Sequence, residues 1–202
     1  MAIEQPILLD VPSELTTDRL SMRVPRAGDS RFIWPAVVES QAQLSPWMPW
    51  AYPQAKEQGV EEFCRRAASH FLLREQFNYG LYLKGTETCI GMCGTPRLNW
   101  AVPMFEIGYW LRTPYCGSGY MNEAVRAVER LCFDLFEAQR IEIRCDARNA
   151  RSRRVAERAG YMLEGVLRRR ERAPAGELRD SCVYAKVAGD ASAPDRTTDA
   201  PG

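Results

Sequence analysis

The chain has 202 residues, of which 46% are apolar and 26% charged, with 27 Lys and Arg against 26 Asp and Glu. This length supports one domain with its own core, and the apolar share excludes a disordered or collagen-like chain. No run of 18 apolar residues is present, and the first residues lack the basic and apolar segments of a signal peptide. We therefore expect a cytoplasmic protein that has no membrane partner.

The net charge of the whole chain is close to zero, but one region has an excess of positive charge. Only three of the 27 cations are lysines, and residues 140–179 contain twelve Arg against six Asp and Glu. Because a guanidinium binds two oxygens at once, this stretch suits phosphate, although each arginine could equally lie on a solvated helix face. The seven cysteines show no paired spacing, and His70 is the single histidine. We therefore expect small buried thiols and no metal site.

The first elements are marked by a change from irregular to periodic sequence. Residues 1–16 show no periodicity and are predicted to form an N-terminal arm. Polar and apolar residues then alternate over 17–24, which predicts a half-buried strand. Asp29 and Ser30 can cap a short helix, which we expect Pro35 to interrupt.

Aromatic residues and prolines dominate the next segment, residues 44–53, which we expect to be an ordered loop and not a linker. Apolar spacing then predicts a second helix over about 54–76. Three strand-like runs follow, and an antiparallel meander is their simplest arrangement. These strands are predicted at residues 79–83, 88–98 and 104–111.

The second half of the chain alternates helices and strands. The clearest helix begins after Gly119, and its apolar residues repeat at three and four up to Leu135. The order of elements predicts a mixed α+β fold with a largely antiparallel sheet and a strand-helix-strand crossover. The folded domain is predicted over 17–187 and a disordered tail over 188–202. The remaining elements are a strand at 140–145, a helix at 149–159, and strands at 161–170 and 178–187.

The most distinctive local signal is a strand, a tight turn containing Gly117 and Gly119, and a strongly amphipathic helix. Glycine lets the main chain approach a ligand, and the free N–H groups of a first helical turn bind phosphate oxygens well. The third glycine of a dinucleotide fingerprint is absent, and no Gly-Lys-Ser/Thr follows as in a Walker A loop. On spacing alone, a simple capping turn and an anion-binding loop are equally good interpretations.

Five ordered blocks carry a more specific signal. They are Thr-Asp-Arg-Leu at 17–20, Glu-Ile-Gly-Tyr-Trp-Leu at 106–111, Tyr-Cys-Gly-Ser-Gly-Tyr-Met-Asn-Glu-Ala-Val at 115–125, Asn-Ala-Arg-Ser-Arg-Arg-Val-Ala-Glu-Arg-Ala-Gly-Tyr at 149–161, and Leu-Glu-Gly-Val-Leu-Arg at 163–168. Together they resemble the GCN5-related N-acetyltransferases (GNAT), and more narrowly the branch that acetylates the N-termini of ribosomal proteins. The resemblance covers roughly residues 16–187. It implies a largely antiparallel seven-stranded sheet flanked by about four helices.

The resemblance also implies a coenzyme and where it binds. Acetyl-CoA would be the acyl donor, and its pantetheine arm would add to a sheet edge opened between residues 105–111 and 141–145, as a peptide strand does. Asn149 would lie beside this arm, and Trp110 and Leu111 would contact it from the first of the two strands. The diphosphate would bind the main-chain amides of Gly117, Ser118, Gly119 and Tyr120.

Acyl transfer requires a neutral amine. At pH 7 neutralisation costs about 4.6 kcal/mol for a lysine but only about 1 kcal/mol for a protein α-amine, so a modest base handles α-amines most easily. By the resemblance, Glu171 is the first candidate for the base, because it follows the turn at 164–165 by seven residues. Glu106 is the second candidate. Glu171 could equally be a surface carboxylate paired with Arg170 or Arg172.

The leaving thiolate needs a proton donor. The resemblance makes Ser152 the candidate acid, although a capping position three residues after Asn149 is an equal interpretation. Tyr115 and Tyr120 are alternatives, since a phenol can donate to a thiolate.

The acceptor side is predicted from three residues. Trp47 and Trp50 belong to an aromatic loop that resembles the substrate-side loop of the branch, and they could shape an acceptor pocket or cover the helices as a lid. Asp180 could orient the acceptor ammonium or pair with Arg179.

The first functional hypothesis is acetyl-CoA-dependent N-acetylation of a primary amine, with a protein or peptide α-amine as first acceptor and a small amine such as an antibiotic, amino acid or polyamine as the second. A non-catalytic CoA-binding or nucleic-acid-binding module is the competing class. The net charge of +1 and the lack of aromatics among the arginines of 140–179 argue against nucleic acid. A homodimer through the aromatic loop or the C-terminal hairpin is compatible with the sequence.

Overall fold

The computed structural model describes residues 3–51 and 55–190, which form one twisted sheet with helices on both faces. The strands lie in the spatial order β1-β2-β3-β4-β5-β6-β8-β7, and every neighbouring pair is antiparallel except β5 and β6. The strands are β1 (Glu14–Thr16), β2 (Leu20–Arg23), β3 (Phe77–Leu83), β4 (Cys89–Asn99), β5 (Met104–Leu111), β6 (Arg140–Asp146), β7 (Met162–Arg172) and β8 (Leu178–Val187). The helices are α1 (Ser30–Leu44), α2 (Glu57–Leu72), α3 (Tyr120–Arg130) and α4 (Ala150–Arg158).

The predicted α+β class and the crossover are confirmed, because β5, α3 and β6 form a parallel strand-helix-strand unit. The strand count is eight, and the predicted seven was wrong. The additional strand is β1, which lies within the predicted N-terminal arm and pairs with β2, Leu15 opposite Met22. Three residues are too few to show a period of two, so the sequence pattern could not reveal this strand.

The predicted break at Pro35 was also wrong, since α1 runs without interruption through this residue. Proline removes only one main-chain donor here, and the neighbouring Ile33, Ala36 and Val37 are fully buried. Burial of that apolar stripe therefore outweighs the lost hydrogen bond. The predicted helix up to Leu135 is α3 followed by a π-helical turn, Leu131–Leu135.

The core has two parts, one on each face of the sheet. Met121, Ala124 and Val128 of α3 pack against the first face, and Ile33 and Val37 of α1 pack against the second. Side chains alternate between the two faces along β5. Phe105, Ile107 and Tyr109 therefore pack in the first part of the core and Trp110 packs in the second.

Several predictions concern the ends of the chain and the cysteines. Five cysteines are buried as expected, but Cys116 is exposed and Cys145 is half-buried. Residues 188–190 of the predicted tail form a turn, and the rest of that tail lies outside the described residues. The same holds for residues 52–54 at the end of the predicted aromatic loop. In the part of the chain that the structure covers, no helix is long and apolar enough to cross a membrane.

Candidate active site

The candidate site begins where β5 and β6 separate. The two strands pair from Met104 opposite Arg140 to Glu106 opposite Glu142, and no pairing follows although both strands continue. On the outer side, β5 stays paired with β4 as far as Leu111. The opened edge expected between these strands is therefore present, and it begins after Glu106.

A β-bulge explains why β5 turns away at this point. The register between β4 and β5 shifts between Gly94 and Arg97, which leaves Thr95 and Pro96 opposite Ile107, the first residue beyond the last β5–β6 pair. A bulge bends its strand and increases the local twist. Gly108 accommodates the bulge, because a Cβ there would lie 3.0 Å from Cγ of Pro96. The sequence thus builds the opening into the sheet.

The separated strands open into a cleft of about 430 Å³. Its walls come from the end of β5, the glycine turn, α3, α4 and the segment after α1. Three of the lining residues are arginines and none is acidic. Of the predicted site residues, seven line the cleft: Trp47, Trp110, Leu111, Gly117, Gly119, Asn149 and Ser152.

The glycine turn presents free main-chain donors. Gly117 and Gly119 have φ values of +90° and +82°, a backbone conformation that residues with a Cβ rarely adopt. Gly119 is the N-cap of α3 and supplies no side-chain cap. Within residues 3–51 and 55–190, nothing accepts a hydrogen bond from the amides of residues 117–120. The free amides of residues 117–120, which lead into the first turn of α3, are donors that an anion could use.

An ion pair from the β1–β2 turn fixes the glycine turn. The main-chain N–H and the guanidinium of Arg19 both donate to the carboxylate of Glu123, at 2.9 and 2.7 Å, and the Thr17 hydroxyl donates to the same group. Arg19 Nη1 also donates to the carbonyl of Ser118 at 2.9 Å, and its guanidinium lies over the Tyr120 ring. Burial disfavours the charged form of Glu123, but these hydrogen bonds outweigh it and lower the pKa of the carboxyl.

Ser152 lies where α4 meets the opened strands. Asn149 caps α4 by accepting from the Ser152 main-chain N–H at 3.1 Å. The Tyr109 hydroxyl donates to the Ser152 carbonyl at 3.0 Å and lies 3.1 Å from Oγ of the same residue. Burial raises the pKa of Tyr109, and burial likewise raises the pKa of Cys145 to about 11, although the Ser152 hydroxyl opposes both shifts. The serine therefore has two neighbours that hold their protons at neutral pH.

A family model described as the acetyltransferase (GNAT) domain matches residues 19–162, which is more than half of the chain. The chain belongs to the GNAT acetyltransferase family.

Individual relatives agree with this membership. An Escherichia coli (strain K12) protein named "Ribosomal-protein-serine acetyltransferase" is 34% identical over 85 residues, 42% of this chain and 48% of the relative. Bacillus subtilis (strain 168) "Probable N-acetyltransferase YjcK" is 33% identical over 96 residues, 47% and 53% of the two chains. Each of these two matches thus spans about half the length of the relative. The Microcin C7 self immunity acetyltransferase MccE, solved with acetyl-CoA and AMP, has the same fold with a TM-score of 0.82, 21% identity, and coverage of 88% and 98%.

The two carboxylates predicted as candidate bases, Glu171 and Glu106, do not line the cleft. Glu106 is ion-paired with Arg97 at 2.7 Å, and Arg144 approaches it to 3.8 Å. Glu171 pairs with Arg179 at 2.9 Å, a partner that was not among the two expected from sequence. The charge of Glu106, and to a smaller degree that of Glu171, raises the pKa of Arg97. Both carboxylates therefore lie near one arginine beside the opening.

The other predicted acceptor residues have structural partners. Asp180 accepts from the main-chain N–H of Arg169 at 2.8 Å and stabilises the bulge at that residue, whose φ is +50°. Its carboxylate does not pair with Arg179. The exposed Trp50 packs against buried Trp110, with ring centroids 5.6 Å apart and ring planes tilted by 59°.

The aromatic loop is also tied to the C-terminal hairpin. Trp47 lines the cleft, and its carbonyl accepts from Arg179 Nη1 at 3.3 Å. The same guanidinium holds Glu171, so one arginine links the candidate base to the loop at the mouth of the cleft.

Two functional features escaped the sequence analysis. The first is the bridge from Arg19 to Glu123. These residues are 104 positions apart, so nothing in the sequence pairs them, although Arg19 lies in the Thr-Asp-Arg-Leu block that carries the resemblance. The second is Tyr109, whose alternation within β5 puts it on the face of the sheet that α4 covers. Among the described residues no three His, Cys, Asp or Glu side chains form a group that could hold a metal ion.

Proposed function

We propose that this protein is an acetyl-CoA-dependent N-acetyltransferase whose acceptor is a primary amine, with the α-amine of a protein or peptide as the first choice. The observation that carries the proposal is the row of four free amides at residues 117–120, placed beside a sheet edge that is already open. The amides suit a diphosphate, and the edge suits the two amide groups of a pantetheine arm. The cytoplasm remains the predicted location.

The residues present fit this donor. The glycine turn leaves room for close approach to the main chain, and the cleft brings three positive charges and no carboxylate to a polyanion. When bound, acetyl-CoA supplies an activated thioester. The chain supplies strand β5, which orients the arm, and the capped start of α4, which sets Ser152 beside the arm. Ser152 is the proposed proton donor to the departing thiolate, with Tyr109 behind it.

The acceptor class follows from the groups available to remove a proton. The proposed bases are Glu171 first and Glu106 second, and glutamate carboxylates are weak bases compared with a lysine amine. A weak base is adequate for an α-amine, whose neutral form costs about 1 kcal/mol at pH 7, and poorly matched to a lysine, at about 4.6 kcal/mol. The name of the E. coli relative, a serine acetyltransferase of a ribosomal protein, points to the same class of acceptor.

The alternative of nucleic-acid binding loses support from the ion pairs. Arg140, Arg144, Arg148 and Arg179 each pair with a carboxylate of this domain, so much of the positive charge of residues 140–179 is neutralised internally. An extended phosphate backbone requires a continuous row of accessible cations. The remaining accessible arginines concentrate in the cleft and on the β7 hairpin.

A thiol-release assay tests the proposal. The protein is incubated with acetyl-CoA and peptides that differ in their first residue, and the products are identified by mass spectrometry. Peptides with a free N-terminus should release CoA thiol, and their N-terminally blocked counterparts with an internal lysine should not. Release with polyamines or aminoglycosides alone would instead support the small-amine alternative, and a protein that binds no acetyl-CoA in calorimetry would overturn both.

A further inference from the structure

Helix α4 carries a row of arginines on the face that lines the cleft. Arg151, Arg154 and Arg158 follow one another at spacings of three and four, which puts them on one side of the helix. Arg151 Nη1 donates to Gln43 at 2.5 Å. Arg154 and Arg158 are exposed and have no ion pair or hydrogen bond with any described residue. In a domain that pairs most of its arginines near the sheet, two unpaired cations at a cleft need an explanation.

The glycine turn and the arginine row lie side by side. Asn122, in the first turn of α3, donates from Nδ2 to the carbonyl of Val155 at 2.9 Å. Val155 stands between Arg154 and Arg158 in the helix, and both arginines line the same cleft as Gly117 and Gly119. The two arginines and the glycine turn therefore line one cleft, the arginines from its α4 wall.

The two unpaired arginines follow Ser152 along α4. The helix begins at Asn149, beside the opened strands, and Ser152 in its first turn touches Tyr109 of β5. Arg158 lies six residues further along, about 9 Å at 1.5 Å per residue. The arginine row thus extends along the cleft wall away from Ser152, with Arg154 about 3 Å and Arg158 about 9 Å further along the helix axis.

We propose that Arg154 and Arg158 form a phosphomonoester site that binds the 3′-phosphate of the coenzyme and so selects CoA over its 3′-dephospho form. The inference rests on the proposed function, because it assumes that the amides of 117–120 hold the diphosphate. Those four donors satisfy the diphosphate without arginine, which leaves two forked cations for the dianionic monoester. The contact between these arginines and the 3′-phosphate, in addition to the contact between the glycine turn and the diphosphate, then determines which acyl donor binds.

Calorimetry with two ligands on two proteins tests the site without any acceptor. CoA and 3′-dephospho-CoA are titrated into the wild-type protein and into the R154Q/R158Q variant. We expect the wild type to prefer CoA by about 100-fold, roughly tenfold for each arginine, and the variant to lose this preference. Affinity for 3′-dephospho-CoA should stay within about twofold in the variant, which also shows that the variant is folded. In steady state the variant should raise KM for acetyl-CoA and leave kcat unchanged.

The matched control removes two exposed arginines elsewhere. Arg130 at the end of α3 and Arg168 in β7 are exposed and make no described contact, so R130Q/R168Q has the same net charge as the test variant. It should keep the full preference for CoA.

Three results would overturn the inference. Equal loss for both ligands in R154Q/R158Q would assign the arginines to the diphosphate, and an equal loss of preference in the control would assign the effect to total charge. Salt-sensitive binding of single-stranded RNA that disappears in R154Q/R158Q, with CoA binding intact, would identify a nucleic-acid site. A wild type that binds CoA without preference defeats only this inference, whereas a wild type that binds neither ligand defeats the proposed function.

Discussion

The proposed coenzyme side of the cleft, around the glycine turn and α4, differs from the neighbouring sheet face, from β4 to β7, in how its charges are compensated. Around the glycine turn, main-chain donors and arginines meet no carboxylate. On the sheet face, acidic and basic side chains alternate from β4 to β7 and satisfy one another, in the order Arg97, Glu106, Arg144, Glu142, Arg140 and Glu164. The first region is complementary to an anion that the chain itself does not contain. The second is already neutral, so it does not attract polyanions.

This difference assigns separate tasks to the two regions. A field of one sign raises the local concentration of an oppositely charged ligand and supplies affinity. A neutralised network supplies fixed hydrogen-bonding groups and geometry, since its charges are screened by their partners. Substitutions at the glycine turn and its neighbouring arginines should therefore change coenzyme binding, and substitutions of the carboxylates on the sheet face should change turnover.

The largest expected effect comes from removing the proposed base. E171Q should lower kcat about 10²–10³-fold with acetyl-CoA affinity unchanged, because proton removal by a placed carboxylate contributes on this scale. The measurement is kcat by thiol release together with CoA binding by calorimetry.

The matched variant is E106Q, which removes the second carboxylate beside Arg97. A larger loss in E106Q than in E171Q would reverse the order of the two candidates. Full activity in both would remove the sheet face from proton transfer.

The next effect concerns the coenzyme side. G119V should weaken CoA binding about 30- to 100-fold, because a β-branched residue at φ +82° displaces the turn and with it the free amides. G85V is the control: Gly85 has φ +77° in the β3–β4 turn and open space around it. It should lose similar stability and keep CoA affinity. Equal CoA binding in G119V and wild type would show that the turn is only a helix cap.

A smaller effect is expected at the leaving-group position. S152A should lower kcat about tenfold, and Y109F should lower it by less, because Tyr109 acts through Ser152. In the double variant the losses should not add, since both hydroxyls belong to one hydrogen-bonded pair. The pH dependence of kcat distinguishes this role from a structural one. Strictly additive losses with an unchanged pH profile would contradict the assignment.

The bridge at Glu123 predicts a change in stability. Its pKa is lowered in the folded state, so the ionised carboxylate stabilises the fold above the unfolded value of about 4.3, and this contribution is lost as the pH falls through the folded pKa. E123Q should cost about 1 kcal/mol at pH 7 in urea unfolding, and progressively less below about pH 5. A pH-independent difference would show that packing, not charge, is the cause.

The smallest effect is expected at a pair that belongs to neither region. Arg66 and Glu62 in α2 have side chains that are 69% and 62% exposed. E62Q should change the free energy of unfolding by less than about 0.5 kcal/mol, since exposed pairs at this spacing are weak. A loss as large as that of E123Q would mean that exposure does not separate these ion pairs.

The coenzyme side was more predictable than the sheet face, for a physical reason. Glycine spacing and helix periodicity are local, so the turn at 117–119, α3 and α4 with its Asn149 cap followed from neighbouring residues alone. The partner of Glu171 did not, because the register of the β7–β8 hairpin, which places Arg179 opposite it, depends on the bulge at Arg169. The hydrogen bond from the Arg169 main chain to Asp180 was missed for the same reason, because it belongs to that bulge. Long-range pairs such as Arg19 with Glu123 are set by topology, which a single sequence does not contain.

After β5 and β6 separate, the facing main-chain groups of the two strands have no strand partner in the middle of the domain. A ligand that forms hydrogen bonds with these groups takes the place of a strand and stabilises the folded state. By mass action, a ligand at 100 times its Kd adds about 2.7 kcal/mol to the free energy of unfolding. With the acyl donor bound at this edge as proposed, resistance to heat and to proteolysis should rise with its concentration.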